Sequence, residues 1–254
     1  MGTTEEKIAR FIVETRERDI PPEAIKAAKL GCFDCIGTML AGAASSPGKI
    51  MAKFVKEAGG KPEATVLGTG VRTTPVLGAL ANGTLAHALD YDDMGGGGFG
   101  HPTCLLLPPL ISLGERMKIS GKDILSAYVV GFKAGKAIAS GCRYVQHERG
   151  FHKTSVFGVW AATAACARLL KLNVEQTIMA MGLAGSMVSA GIIQNFGTYT
   201  KGLHAGLADQ HGVMACLLAQ DGWKATDKVF ESKLGFLHAF VGNRNWWGRT
   251  KATT

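Results

Sequence analysis

The chain has 254 residues, 46% of them hydrophobic and 19% charged, with a formal net charge of +8. That is enough for one large domain or two small ones around a sizeable core, and it excludes a disordered chain. The positive balance suits an anionic substrate or an acidic partner. The Lys and Arg residues are scattered rather than gathered into runs with exposed aromatics, which argues against a nucleic-acid partner.

The N-terminus, MGTTEEKIAR, lacks the apolar segment of a signal peptide, and Glu6 stands where N-myristoylation wants Ser or Thr. Thr3 or Thr4 is expected to cap a first helix carrying Ile8, Phe11 and Ile12, which runs to the break at IPP. A second helix follows, with Ile25, Ala28, Cys32, Ile36 and Leu40 expected on one buried face. SSPGKIMAKFVKEAGG opens with Ser–Pro and closes with Gly–Gly, the start and stop of a short helix. ATVLGTG is the one convincing strand-like piece, too short to found a sheet.

From Thr74 on, helical patterns rich in Ala and Gly succeed one another, and small residues at the packing positions let helix axes approach closely. Asn173 and Gln176 have the spacing of a capping box. The expected fold is all-α, a compact helical domain. The six cysteines (Cys32, Cys35, Cys104, Cys142, Cys166, Cys216) mostly fall inside apolar helical patterns, where a free thiol packs as a small hydrophobe. Cys32 and Cys35 form a CxxC with no second ligand pair and no βαβ context, so neither a disulfide nor a metal is expected there. No apolar run reaches membrane-spanning length. A soluble protein of a reducing, cytoplasmic compartment is expected, with no membrane association.

Four polar stretches interrupt the apolar helices. HALDYDDMGGGGFGHPT (87–103) places His87 and Asp90 three apart at a helix end, then Asp92, Asp93, a glycine run and His101. Glycines let a backbone pass close to a ligand or swing as a gate; a solvated hinge is the bland alternative. RGFHKTSVFG (149–158) sets His152 at the mouth of an apolar helix that Thr154 or Ser155 can cap, a natural carboxylate site. NFGTYTKGLHAGLADQHG (195–212) brings Lys201 out of a Gly/Thr loop, and His204 opens a helix with His211 on the same face. Those two histidines are too far apart for an adjacent-turn metal pair. RYVQHERG (143–150) reads as a solvated turn, with no role for His147. No Walker loop, dinucleotide fingerprint, HExxH or GxSxG is present.

Taken together, and in this order, LANGTLAHALDYDD, HPTCLLLPPL, GFHKTSVFGVWAATAACARLL, GLAGSMVSAG, GTYTKGLHAGLADQHGVMACLLAQDGW and LGFLHAF resemble the MmgE/PrpD family. That family includes 2-methylcitrate dehydratases, cis-aconitate decarboxylases and iminodisuccinate epimerases. The resemblance implies a helical domain over residues 1–240 and a divergent tail over 241–254. It also implies a cofactor-independent and metal-free lyase for a small anionic di- or tricarboxylate, commonly a homodimer. Matched to the family's motifs, Asp90, His101, His152 and Lys201 are the expected catalytic residues, with His87, Thr154 and His204 expected at the substrate. Histidine can act as acid or base near neutral pH, Lys201 can hold a carboxylate, and Asp90 is expected to orient His101 or His87.

Family members continue into a smaller lid domain, for which this sequence offers no counterpart; it passes instead into VGNRNWWGRTKATT. The expectation is therefore a lid-less domain that is weakly active alone and either dimeric or completed by a partner chain. A split-enzyme subunit or a non-catalytic binding or scaffold role is the alternative. A metal hydrolase is disfavoured, because the acids crowd into one loop rather than converging with ligand spacing.

Overall fold

The computed structural model describes residues 2–95, 98–142 and 145–241. Thr3 caps as expected: its hydroxyl accepts from the Glu6 N–H at 3.2 Å and opens α1 (Thr4–Glu14), which buries Ala9 and Ile12. A proline in the first turn starts α2 (Pro22–Ala44). Its buried face is not the one expected. Ala28, Cys35 and Met39 are buried, whereas Ile36 and Leu40 are exposed. The reason is helical pitch. Each four-residue step from Ala28 to Leu40 overshoots a turn by roughly 40° at 3.6 residues per turn, so that stripe drifts off the core.

Ser45 caps α3 (Ser46–Ala58), accepting from the Gly48 N–H at 3.2 Å, and Gly59 ends it in the left-handed region at φ 71°. The strand-like segment becomes β1 (Ala64–Val66) and finds an antiparallel partner, β2 (Val71–Thr73), which the sequence reading passed over. The hairpin stands on α4 (Pro75–Ala86) through buried Asn82. Its Oδ1 accepts from the Leu67 N–H at 2.9 Å and its Nδ2 donates to the Thr65 carbonyl at 2.8 Å.

The remaining helices are α5 (Leu107–Met117), α6 (Gly121–Cys142), α7 (Val145–Glu148), α8 (Lys153–Leu169), α9 (Val174–Ser186), α10 (Thr200–Gln220) and α11 (Phe236–Val241). The fold is all-α with one hairpin. The capping box of α9 is formed: Asn173 Oδ1 accepts from the Gln176 N–H at 2.8 Å, and Gln176 Oε1 from the Asn173 N–H at 3.1 Å.

Helix α8 is the hub, buried along nearly its whole length, with α6 and α10 packed against it and α4 against α10. Trp160 of α8 meets Phe230 and Phe236 with ring centroids 4.6 and 4.9 Å away. Each such fully buried large side chain contributes about 1.5–3 kcal/mol. Close approach of α4 to α10 depends on Gly83, where a Cβ would collide with Asp209 Oδ2 and lie 2.9 Å from the Gly206 Cα. Small residues thus do what the sequence suggested: they bring α4 and α10 close enough for the side chains at their ends to meet.

The expected turn around His147 contains the short α7, on which His147 is exposed. The tail expected to diverge, with Trp246 and Trp247, lies outside the described residues apart from Val241. Among the described residues no helix is long and apolar enough to cross a membrane. Of the six cysteines, all but Cys32 are buried.

Candidate active site

Three polar stretches far apart in sequence converge at one end of the α4–α8–α10 packing. His87 is the C-cap of α4, so the helix has ended before Asp90, which turns the chain in the left-handed region at φ 56°. His87 and Asp90 therefore do not share a helical face. His152 is the N-cap of α8. Lys201 lies in the first turn of α10 rather than in a loop, and His204 lies one turn further on rather than opening the helix.

Asp92 sits at the centre. Its carboxylate accepts from His87 Nδ1 at 2.9 Å, and one oxygen lies 3.3 Å from His101 Nδ1. The His101 Nδ1 is also 3.3 Å from the Asp92 carbonyl oxygen. Asp92 thus makes the histidine contacts expected of Asp90. Asp90 is half-exposed and pairs with the Lys201 ammonium instead, while its Oδ1 stands 3.7 Å from His101 Nε2. The imidazoles form a continuous group. Ring centroids are 4.5 Å apart for His87 and His101, 5.8 Å for the stacked His87 and His152, and 5.3 Å for His152 and His204. His152 and His204 face each other Nδ1 to Nδ1 at 3.1 Å, so they share one proton and at least one of them is neutral.

The sequence-selected residues Asp90, His101, His152 and Lys201 are thereby brought into one cluster, joined by His87 and His204. Thr154 is buried beside them against Gly100, where a Cβ would collide with the threonine hydroxyl. Neither Thr154 nor Ser155 caps α8; the Ser155 hydroxyl donates instead to the His204 carbonyl at 3.3 Å. His211 turns away, with Nδ1 2.7 Å from the Met187 carbonyl.

The sequence reading left two residues out of the site. Asp92 was noted as an acid of the loop and given no role. Nothing in DYDD says which acid turns inward once the helix ends, because the loop has no periodicity to count along. Phe196 was not singled out. Its ring meets His152 edge-on at 4.7 Å, and the Lys201 ammonium lies 5.1 Å from the ring centre, within cation–π range. An aromatic five residues before a candidate lysine was the available signal.

The segment carrying Phe196 leads in over Gly191, whose carbonyl accepts from the His152 N–H at 2.6 Å. Gly191 has φ 54°, and a Cβ there would lie 3.0 Å from both His152 Cβ and His204 Nδ1. Only glycine lets the backbone rest on this imidazole pair.

The surroundings drive the histidines apart electrostatically. Burial, reinforced by the neighbouring His87, His204 and Lys201, pushes His152 far down, and burial pushes His204 down as well. Burial acts on His101 in the same sense, but the hydrogen bond and charge of Asp92 outweigh it and raise His101. Asp92 resists its own burial because two imidazoles bond to it, and it is held well below the usual carboxylate range. Asp93, next in sequence, faces the other way. It accepts from the Thr103 N–H at 3.1 Å and the Thr103 hydroxyl at 2.6 Å, and burial raises it.

Ligand atoms of His87, Asp90, Asp92 and His101 lie within 4.8 Å of one another, so a cation could be accommodated by distance alone. The charges do not favour one. The Lys201 ammonium already neutralises Asp90, and the Asp92 oxygens are occupied by imidazole N–H groups. We therefore read the set as an ion-pair network open to an anion at Lys201.

Comparison with known proteins bears on the family. The model of the MmgE/PrpD N-terminal domain matches residues 6–248. The cis-aconitate decarboxylase-like protein oryM of Aspergillus oryzae is 30% identical over 98% of this chain and 53% of its own. The cis-aconitate decarboxylases of Homo sapiens and Aspergillus terreus are 29% and 28% identical, each over 94% of this chain and 50% of their own. The chain spans about half the length of the curated relatives it matches. A match across nearly every described element, in the order in which the site segments occur, makes this chain a member of the MmgE/PrpD family.

Proposed function

We propose that this domain supplies the acid–base wall of a lyase for small di- or tricarboxylates, with cis-aconitate the first substrate to test. One arrangement carries the reading: in a single cluster Asp92 lies against His101 and raises it, while burial among the other rings lowers His152. Pairs of titratable groups pushed apart in this way are how a site obtains an acid and a base at one pH. His101, beside Asp92, is the proton donor; His152, buried among rings and near Lys201, is the neutral base.

Lys201 holds a substrate carboxylate. Its ammonium is partly neutralised by Asp90, and an incoming carboxylate competes for it with a charge-assisted hydrogen bond worth about 1.5–3 kcal/mol. In a dehydration, His152 removes the proton next to a carboxylate, Lys201 steadies the enolate charge, and His101 protonates the departing hydroxyl. In a decarboxylation, CO₂ leaves its bonding electron pair on the carbon skeleton, Lys201 steadies that charge, and His101 returns a proton to carbon. The names of the relatives favour the second reaction, in which the donor matters more than the base.

The test is calorimetric titration of the chain with cis-aconitate, 2-methylcitrate, citrate and iminodisuccinate, paired with CO₂ release and deuterium uptake. Binding of at least one of them, weakened in Lys201→Ala, is expected. Absence of binding by all four, or binding indifferent to Lys201→Ala, would refute the reading.

A further inference from the structure

We infer that Asp92 is a positioning residue whose buried carboxylate fixes the tautomer of His87 and, with its own main-chain carbonyl, keeps the hydrogen on Nδ1 of His101, so that both rings present Nε2 away from it. The inference goes beyond the proposed lyase chemistry in assigning a residue, and rests on it only for the consequence in turnover.

The geometry is specific. The Asp92 side chain is 1% exposed, and the two imidazoles lie on it at 2.9 and 3.3 Å, each through Nδ1. A carboxylate can only accept, so each Nδ1 must carry a hydrogen. One acid oriented toward two rings removes the choice that a free imidazole has between its two nitrogens. For His101 the consequence is direct, since its Nε2 is left facing Asp90 at 3.7 Å, on the side where Lys201 stands. For His87 the Nε2 is left buried with no hydrogen-bond partner among the described residues. Its ring is stacked on His152 and tilted against His101. A buried acceptor held without a partner among the site's own rings is a group waiting for a donor, and the substrate class proposed above brings one whenever it carries a hydroxyl or a protonated carboxyl.

A leucine distinguishes this from a merely structural role. It offers no acceptor, so His87 loses the one that fixes its Nδ1–H, while the main-chain carbonyl of residue 92 still faces His101 Nδ1 at 3.3 Å. His87 is then free to carry its hydrogen on Nε2 instead.

The experiment is long-range ¹H–¹⁵N correlation of the histidine rings in the whole chain and in Asp92→Leu, with Asp93→Asn as control because its carboxylate bonds Thr103 and no histidine. In the unaltered chain His87 and His101 are expected to show protonated Nδ1. In Asp92→Leu His87 is expected to lose that signature, and in Asp93→Asn neither ring. Where a carboxylate is turned over, Asp92→Leu should also lower kcat by about 10²–10⁴-fold, the range of a misplaced proton-transfer group.

A bare Nδ1 on either ring of the unaltered chain overturns the inference, even if the variant does not fold. So does a His87 that keeps Nδ1–H in a folded Asp92→Leu. Because the tautomers are read without substrate, the lyase reading can fail while this one stands, and the reverse.

Discussion

Asp92 and Asp209 are both buried acids, 6% and 0% exposed, and the molecule treats them in opposite ways. Asp92 lies where a loop brings two imidazoles to it, and it is held ionised. Asp209 lies on α10 where that helix presses on Gly83 of α4; among the described residues neither oxygen has a hydrogen-bond partner, and burial pushes its carboxyl well above the usual range. The same side chain is thus an organiser bonded to imidazoles at the end of the helices and an acid disfavoured as a charge in their middle. What differs is not depth but the supply of N–H donors. Helix interiors spend their N–H groups on the ladder, whereas a broken loop carrying histidines has donors to offer. The proposed acid–base chemistry belongs at the end of the packing, where the close helix contact brings those ends together.

If that division holds, substitutions at the two ends should fail in different ways. The largest effect is expected at the histidines. His101→Gln and His152→Gln should each lower kcat on a carboxylate substrate by about 10²–10⁴-fold, while urea unfolding shows that the fold persists. A collapse of stability without a separate loss of kcat would make the cluster structural and erase the comparison.

Next comes Gly83→Val, which forces α4 off α10 and should cost about 1–3 kcal/mol or more from overpacking, read from the urea midpoint. Because His87 and Lys201 ride on those two helices, carboxylate affinity should fall with it. Unchanged stability would mean the two helices are not in the contact described.

How much of this was legible in the sequence follows the same division. Helix ends were partly readable because caps are local: Thr3 caps α1, the Ser–Pro start opens α3 and Asn173 with Gln176 forms its box, whereas the cap expected from Thr154 or Ser155 does not form. The close packing of Gly- and Ala-rich helices was readable because side-chain size is written in the residue type. The face of α2 was misjudged because four-residue steps drift around a helix. The partner strand β2 was passed over because three residues of VRT carry too little pattern to be seen without their neighbour. Membership of the site in Asp90, His101, His152 and Lys201 came through motif resemblance, not periodicity, and the structure brings those residues together. The division of labour between Asp90 and Asp92 was not legible. It depends on where the chain turns after His87, which a left-handed residue at position 90 decides.

A smaller effect is expected at the unpartnered acid. Below about pH 4, an ordinary aspartate value, Asp209 is protonated folded or unfolded and adds no pH dependence. As pH rises the unfolded chain releases its proton while the folded chain keeps it, so stability falls by up to about 1.4 kcal/mol per pH unit until the raised folded value is reached. Asp209→Asn cannot ionise. It should therefore match the unaltered chain near pH 4 and exceed it increasingly toward neutrality in urea unfolding. An advantage independent of pH would show that Asp209 is not held protonated.

The smallest effect is the one with the most informative sign. His101 is raised in the folded state despite its burial, because Asp92 bonds to it and carries the opposing charge. Its protonated form is therefore favoured by folding. The stability this contributes is fully present below the unfolded histidine value of about 6.5 and is lost as pH rises through the folded value. His152, pushed down by burial and its neighbours, has the reverse sign. Its contribution is present above that unfolded value and is lost as pH falls toward the folded one. The two slopes have opposite signs on either side of about 6.5, and other titrating groups add to both, so a single stability profile isolates neither. Subtracting the profile of His101→Gln isolates the first. The difference should fall as pH rises above about 6.5, by up to about 1.4 kcal/mol for each unit by which Asp92 raises the ring. In an Asp92→Asn background the same subtraction should lose that fall, since the raising charge is gone while the burial remains. If the difference fell equally with Asn at 92, the charge that holds His101 protonated would have to come from Asp90, and Asp92 would be no more than a shape in the loop.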